Sequence, residues 1–220
     1  MKLLTGCGGW GYFNVPGNRL ESYSRAYDFV ETNVTFYRMT TQEQLENWRA
    51  TVPKTFEFTV KCNRGLTHEE ALKPTERAFE IFDGMRRVCK ELRAEILVLQ
   101  TPPSFDTAES EIRELLSRAN TKGLTLVWEP RGENRNTYLK LARDLGIVTS
   151  VDISVEEPMG KQDILYTRVF GPDRKKDIPD RSLERIENRT RASGAKKGYV
   201  TFHGSKMYKD AARFLVYRKG

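Results

Sequence analysis

The sequence predicts an α/β protein, a compact TIM-type (β/α)8 barrel with an irregular crossover between its sixth and seventh strands. Eight apolar runs of strand length alternate with segments that mostly have helical periodicity. This alternation is typical of a parallel sheet, and closure into a barrel leaves no strand edge unpaired. The predicted strands, all mutually parallel, are Lys2–Cys7, Phe29–Val34, Phe56–Lys61, Ile96–Gln100, Leu124–Glu129, Ile147–Asp152, Ile164–Phe170 and Gly198–His203.

In the first half of the chain, the strands are separated by clear loop and helix signals. A glycine-dense loop follows the first strand, and Leu20–Tyr27 has the pattern of a short helix. In the second strand, polar Glu31, Asn33 and Thr35 recur with period two, so we expect them on one face. Thr67, with Glu70 three residues later, fits a capping box, which gives Thr67 a capping role ahead of the long helix behind Pro74.

The second half continues the alternation with one interruption. Ile96–Leu99 is continuously apolar, as a strand covered on both faces should be. The segment Ser154–Gln162 has no helical period, so we expect an irregular crossover there. Helices are predicted at about Arg181–Ala192, which is rich in arginine, and at Tyr208–Tyr217.

Composition is that of a soluble globular protein and favours a single domain over residues 1–220. Of the 220 residues, 38% are hydrophobic and 30% are charged. The chain has neither an apolar run near the roughly 20 residues of a membrane span nor a signal-peptide core, so a cytoplasmic location is expected. Cys89 falls on an apolar helix face, whereas Cys7 and Cys62 end strands, where one of them could be reactive.

Positive charge is concentrated in the last quarter of the chain. Residues 161–220 contain 16 Lys and Arg against 7 Asp and Glu, while the whole chain has a net charge of +7. Such a segment favours a phosphate-containing small molecule or a nucleic acid as partner. A Lys/Arg-rich solvated surface would have the same composition, and both interpretations stay open.

The carboxyl ends of the predicted strands supply the candidate site, because these ends meet at one mouth of a barrel. The candidate catalytic residues are Glu31, Lys61, Glu129 and Asp152. Candidate substrate-binding residues at the strand ends and at the rim are Trp10, Tyr12, Asn33, Tyr37, His68, Gln100, Arg131, Arg168 and His203.

Several of these segments together resemble the DUF72 (YecE-like) family. The resemblance covers residues 1 to about 152 and includes Gly6-Cys7-Gly8-Gly9-Trp10-Gly11-Tyr12, Phe29 to Arg38, Phe56 to Lys61, Thr67-His68, Leu99 to Phe105, Glu129-Pro130-Arg131-Gly132 and Asp152. It implies a TIM-type barrel with a site at these residues, and it implies no particular reaction. Tyr166–Gly171 and Thr201–Gly204 depart from the family pattern.

The first functional hypothesis is an enzyme, such as a hydrolase or lyase, that acts on a phosphorylated or nucleic-acid substrate. Lys61, Arg131 and Arg168 would stabilise anionic oxygens, and a carboxylate among Glu31, Glu129 and Asp152 would serve as general acid or base. A purely structural ion-pair network would use the same residues. We expect Glu31 to be buried, paired and central to the site, with Lys61 of the next strand as its nearest cation.

Two further hypotheses use the same strand ends. No cofactor is firmly implied, but Glu31, Glu129, Asp152 and His203 could hold Mg²⁺ or Mn²⁺ for a metal-dependent hydrolase, isomerase or endonuclease-like barrel. Alternatively, the protein is a non-catalytic module for RNA or single-stranded DNA. In that case Trp10, Tyr12, Tyr37 and His68 would stack on bases, and the basic last quarter would follow the phosphates.

Overall fold

The structure is a computed structural model that describes residues 1–158 and 160–218. Within these residues, eight strands form a closed barrel in chain order, and their pairing is parallel. The predicted TIM-type barrel is therefore confirmed. The strands are β1 Lys2–Cys7, β2 Phe29–Thr32, β3 Glu57–Lys61, β4 Ile96–Gln100, β5 Thr125–Glu129, β6 Val148–Val151, β7 Ile164–Val169 and β8 Lys197–Phe202.

Helices occupy most of the connections between strands. Between β6 and β7 the described residues contain no helix, as the sequence predicted. None of the helices in the described ranges is long and apolar enough to cross a membrane. The helices are α1 Arg19–Ala26, α2 Val34–Tyr37, α3 Gln42–Thr51, α4 Glu76–Leu92, α5 Glu109–Arg118, α6 Arg135–Asp144, α7 Asp180–Ala192 and α8 Met207–Tyr217, and Gly65–Glu69 is a π-helix.

The chain divides into two compact units. The first contains Met1–Glu31, Val52–Glu57 and Ser150–Gly220, and the second contains Thr32–Thr51 and Phe58–Thr149. The division passes through β2 after Glu31 and through β6 after Thr149. The expectation of a single domain over 1–220 stays a prediction.

In the first unit, β1 and β2 approach unusually closely, and only glycine fits there. A Cβ atom at Gly6 would lie 2.1 Å from the Phe29 carbonyl oxygen. The buried Tyr23 hydroxyl of α1 joins the same two strands, since it accepts from the Cys7 amide at 2.7 Å and donates to the Phe29 carbonyl at 3.0 Å. Packing and hydrogen bonding thus fix β1, β2 and α1 against one another.

In the second unit, α4 buries one apolar face, but its cap differs from the prediction. Ala78, Phe82, Met85 and Leu92 are buried. The side chain of Thr75, not of Thr67, accepts from the Ala78 amide at 3.1 Å and caps the helix. The capping role expected for Thr67 was wrong because the segment that contains it folds into the separate π-helix Gly65–Glu69.

The three cysteines are free and buried. Burial raises the pKa of the Cys7 and Cys62 thiols well above the ordinary value, and it raises the pKa of Cys89 to about 12. Because the thiolate is the reactive form, these thiols are poor nucleophiles at neutral pH. The suggestion that Cys7 or Cys62 could be reactive is not supported.

Glu57 holds together a charged network in the first unit. It accepts hydrogen bonds from Lys2 at 3.1 Å, from Lys197 at 2.8 Å and from the Tyr199 hydroxyl at 2.6 Å. Burial by itself would raise the pKa of Glu57, but the hydrogen bonds from Lys197, Tyr199 and Lys2 outweigh it and lower the pKa. The ionised carboxylate is therefore stabilised by folding.

We expect Glu57→Gln to lower the free energy of unfolding at pH 7 by about 1–2 kcal/mol, because hydrogen bonds to a charged group are lost. A depressed folded-state pKa contributes stability that is present above the unfolded-state value and is lost as pH falls through the folded-state value. The difference between wild type and variant should therefore shrink in acid. Urea denaturation of wild type and variant at pH 7 and in acid tests this. The exposed Glu133→Gln is the control, and an equal loss of unfolding free energy in the control would contradict the prediction.

Candidate functional site

Glu31 is a fully buried carboxylate of the first unit. Its side chain is 0% exposed near the end of β2. Oε2 accepts from the Tyr166 hydroxyl at 2.9 Å and from Arg168 Nε at 3.1 Å, and Arg168 Nη2 lies 3.0 Å from Oε1. Tyr166 and Arg168 are two residues apart on β7, so they lie on the same face of that strand. Glu31 is therefore buried and paired within this unit by Arg168; a pairing with Lys61 stays a prediction.

His203 lies beside this carboxylate, immediately after β8. Its Nε2 is 3.9 Å from Glu31 Oε1 and 3.4 Å from Thr201 Oγ1. The imidazole stacks on Phe170 with a centroid distance of 5.0 Å and an interplanar angle of 29°. The guanidinium of Arg174 lies 4.2 Å from the Phe170 ring centroid. The Phe170 ring therefore has one imidazole and two guanidinium groups, those of Arg168 and Arg174, around it, and the Glu31 carboxylate lies beside the same imidazole.

Asp152 organises the loop that follows β6. Its Oδ1 accepts from the Ser154 amide at 2.9 Å and from the Ser154 hydroxyl at 2.6 Å, and Oδ2 accepts from the Phe170 amide at 2.8 Å. Both oxygens are occupied by local bonds, which favours a structural role over the catalytic role that the sequence suggested.

Of the two aromatic residues in the glycine-dense loop, Trp10 is partly buried, whereas Tyr12 is 89% exposed.

In the second unit, the segment after Thr32 departs from the predicted strand. β2 ends at Thr32, and Val34–Tyr37 forms the short helix α2. The Thr35 hydroxyl lies 2.6 Å from both the Thr32 and the Lys61 carbonyl oxygens and shares its proton between them. The prediction that Glu31, Asn33 and Thr35 share one strand face was therefore wrong, because this hydroxyl turns the chain towards the end of β3.

Lys61 ends β3 in a confined environment. The residue is 8% exposed, and its Nζ lies 3.9 Å from the centroid of the Phe36 ring. The His68 ring meets the same Phe36 edge to face, with a centroid distance of 5.1 Å. Phe36 therefore positions one cation and one imidazole together, and a cation over an aromatic face is favourable.

His68 is surrounded by positive charge. Burial lowers its pKa, and the neighbouring cations Lys61, Arg64 and Arg131 lower it further, outweighing the opposite effect of Glu69. Thr67 Oγ1 lies 2.9 Å from Nδ1 and fixes the orientation of the ring. We refer to Phe36, Lys61, Arg64, His68 and Arg131 as the Phe36 cluster.

The backbone that carries His68 is strained. His68 lies in the π-helix Gly65–Glu69, and the next turn has two consecutive residues with positive φ, Ala71 at 51° and Leu72 at 57°. The Thr107 hydroxyl donates to the Ala71 carbonyl at 2.6 Å and holds this turn. π-Helices and left-handed non-glycine residues are concentrated at functional sites, where the surrounding structure maintains the strain.

Glu129 and Arg131 form an ion pair after β5. Arg131 Nε donates to Glu129 Oε1 at 2.7 Å, and its Nη2 lies 2.6 Å from the same oxygen. Gln100, the buried last residue of β4, is in register with Glu129. The loop beyond Arg131 depends on Gly132, which has a φ of +91° and where a Cβ atom would lie 2.0 Å from the Pro103 carbonyl oxygen.

The donor set proposed for a metal does not fit one within the residues that the structure describes. No group of three or more His, Cys, Asp or Glu residues is arranged to hold an ion there. Glu31 is engaged by Tyr166 and Arg168, and Asp152 by Ser154 and Phe170. A guanidinium against a carboxylate opposes a second cation at the same oxygens.

Many cations of the basic last quarter have acidic partners in the first unit. Examples are Arg189 with Glu157 at 2.6 Å, Arg191 with Glu187 at 2.6 Å, and Arg218 with Asp28 at 3.1 Å. This favours an ion-paired surface for much of the segment.

Sequence reasoning missed several members of these clusters. Tyr166 could have been found because it precedes Arg168 by two residues on the same strand face. Phe36 and Phe170 carry no charge and have no sequence pattern that distinguishes them from core residues. Arg64 directly precedes the π-helix Gly65–Glu69 and had no distinctive sequence pattern.

Comparison with known proteins identifies the family. The model described as "Protein of unknown function DUF72" matches residues 4–217, so the chain belongs to this family. The UPF0759 protein YunF of Bacillus subtilis (strain 168) is 26% identical over 125 residues, which are 51% of this chain and 44% of YunF. The match therefore spans less than half of that relative.

Solved structures share the fold. A DUF72 family protein from Thermotoga maritima has a TM-score of 0.78 and 18% identity, with 100% of both chains covered. A DUF72 family protein from Enterococcus faecalis has a TM-score of 0.76 and 14% identity, with 100% of this chain and 98% of the other covered. A D-psicose 3-epimerase solved with D-fructose has a TM-score of 0.65 and 13% identity, with 100% and 98% covered. At such identities these likenesses establish the fold.

We expect Glu31→Gln and Arg168→Met each to lower the free energy of unfolding by about 3 kcal/mol, because each leaves a buried group without its partner. The free energy of unfolding that the double variant loses should be smaller than the sum of the two single losses by at least about 1 kcal/mol, since the two residues are in contact. Urea denaturation of all four proteins measures this coupling. The exposed pair Glu114 and Arg118 provides the control cycle, with an expected coupling below about 0.5 kcal/mol. Strict additivity at Glu31 and Arg168 would contradict the prediction.

Proposed function

We propose that this member of the DUF72 family is an enzyme that acts on a phosphate-containing substrate by acid–base chemistry at the carboxyl ends of its strands. The observation that carries the proposal is the placement of Lys61 and His68 on one Phe36 ring, with Arg64 and Arg131 among the charges that lower the pKa of His68. A phosphate group has several anionic oxygens, and Lys and Arg are the residues that bind it best. An imidazole in the same place could move a proton on the bound molecule.

The cations differ in ways that suit two roles. Lys61 is nearly buried against Phe36, and electrostatic attraction is stronger where water is excluded. We assign it to a phosphate oxygen. Arg131 is more accessible and is held on Glu129. A phosphate that accepts some of the hydrogen bonds that the Arg131 guanidinium now donates to Glu129 would leave the Glu129 carboxylate available as a general base.

His68 is suited to proton transfer because its lowered pKa keeps it neutral at pH 7. A neutral imidazole can accept a proton, and a bound phosphate beside it would then stabilise the imidazolium. Binding of the anion should therefore raise the pKa of His68. In the first unit, Glu31 and Arg168 lie beside His203, so we assign Glu31 to positioning that imidazole.

Inorganic phosphate and ribose 5-phosphate are suitable probes, because the chain has two histidines whose ring protons can be followed by NMR. We expect either probe to raise the pKa of His68, and Lys61→Met to weaken binding at least roughly tenfold, since a charged hydrogen bond is lost. The exposed Lys140→Met is the matched control and should bind normally. Turnover of a panel of phosphate esters by wild type, but not by Lys61→Met, would establish an enzyme. An unchanged His68 pKa at saturating phosphate would refute the proposal.

A second candidate is a binding module for single-stranded nucleic acid, favoured by one surface of the second unit. Tyr37 is 72% exposed and lines a pocket of about 460 Å³ together with Arg38, Asn63 and Arg64. An exposed aromatic ring beside arginines is the arrangement that stacks bases and contacts phosphates.

For this candidate, we expect a fluorescent single-stranded oligonucleotide to bind with an affinity that falls steeply with salt. Tyr37→Ala should weaken binding by about tenfold, because stacking contributes about 1–3 kcal/mol per base, and Tyr37→Phe should restore it. Binding without any product would favour this module over the enzyme, and equal affinities of Tyr37→Ala and wild type would exclude it.

A further inference from the structure

A second basic pocket lies in the second unit, where α4 faces the turn before β5. It has a volume of about 460 Å³ and is lined by Asp83, Arg86, Arg87 and Lys90 of α4 and by Lys122 of the turn. Four cations therefore surround one carboxylate. Buried Ala94 lies at the pocket, and a Cβ atom at Gly123, also in its lining, would meet no atom within 4 Å, so the backbone there is open to a ligand.

The four cations of this pocket have no hydrogen-bond or ion-pair partner for their side chains in the part of the chain that the structure describes. Two other arginines of the same unit, by contrast, have acidic partners. Arg77 pairs with Glu69 at 2.9 Å, and Arg118 pairs with Glu114 at 2.8 Å. The charges of the four pocket cations are therefore not offset by ion pairs as those of Arg77 and Arg118 are.

The arrangement is unfavourable for the protein alone. Arg86 and Lys90 are four residues apart on α4, where like charges repel. The helix dipole favours Lys90 in the last turn, but it does not explain Lys122, which comes from another element. An anion bound among them would relieve the repulsion.

We propose that this pocket binds an oligophosphate, meaning a chain of two or more phosphate groups. The pocket has four cations and one carboxylate, and this excess of positive charge suits a ligand that carries several negative charges. Arginines bind phosphate through paired hydrogen bonds. The pocket is distinct from the Phe36 cluster. Lys122 precedes β5, whereas Lys61 ends β3, and β3, β4 and β5 are parallel, so the two groups lie at opposite ends of this sheet. The inference does not depend on the proposed enzyme activity.

Calorimetric titration with inorganic tripolyphosphate at low salt tests the proposal. We expect the double variant Lys90→Gln/Lys122→Gln to weaken binding at least roughly tenfold. The matched control, Lys140→Gln/Arg143→Gln, removes the same charge from exposed positions on α6 and should change affinity less than about twofold. The same loss at Lys90 and Lys122 is expected in protein that also carries Lys61→Met, which removes the contribution of the strand ends.

The source of the phosphate chain is identified by comparing tripolyphosphate with ATP. Equal affinities would support a free oligophosphate, and tighter binding of ATP would support a nucleotide. The proposal is overturned if neither probe binds at millimolar concentration, if both double variants lose affinity equally, or if Lys61→Met alone abolishes binding.

Discussion

The first unit depends on the ion pair between Glu31 and Arg168. Removing a carboxylate and a guanidinium from water costs several kcal/mol per ion, and this cost is recovered only when geometry and hydrogen bonding are good. Here the guanidinium lies within 3.1 Å of both carboxylate oxygens, and the Tyr166 hydroxyl donates to Oε2. Loss of either partner would leave the other charge buried and uncompensated, so the first unit depends on both residues being present.

The second unit uses a different electrostatic arrangement. In the Phe36 cluster, a buried lysine rests on an aromatic face, and an imidazole lies among cations. The surrounding acids, Glu69 and Glu129, are held by Arg64, Arg77 and Arg131. Even so, the effect of the cations on the pKa of His68 outweighs that of Glu69. Such an arrangement suits an anion more than a metal ion, which these charges would repel.

Much of the fold was predictable because hydrophobic periodicity is a local property. Each of the eight strands was found to within two residues at either end, and the helix-free crossover after β6 was visible from its lack of period. The end of β2 was not predictable, since Val34-Thr35-Phe36-Tyr37 consists of good strand formers. Their helical conformation follows from the hydrogen bond between Thr35 and the Lys61 carbonyl, residues that are far apart in the chain.

The residues of the candidate site were easier to predict from the sequence than the contacts between them. Strand-end position identified Glu31, Arg168 and His203, because barrel geometry gathers those positions. The partner of Glu31 in its unit comes from β7, and spacing along the chain cannot indicate which distant strand supplies it. Asp152 shows the limit of the same reasoning, since a carboxylate after a strand can equally well organise the next loop.

The position of the His68 side chain depends on how many residues the π-helix Gly65–Glu69 contains as well as on which residues they are. The Glu70 amide bonds to the Gly65 carbonyl at 2.8 Å, five residues back, so this turn accommodates one more residue than an α-helical turn. Loss of any single residue here would permit an ordinary turn and would rotate the imidazole away from Lys61 and Phe36. A chain could therefore keep Thr67, His68 and Lys61 unchanged and still lose the cluster through a one-residue deletion.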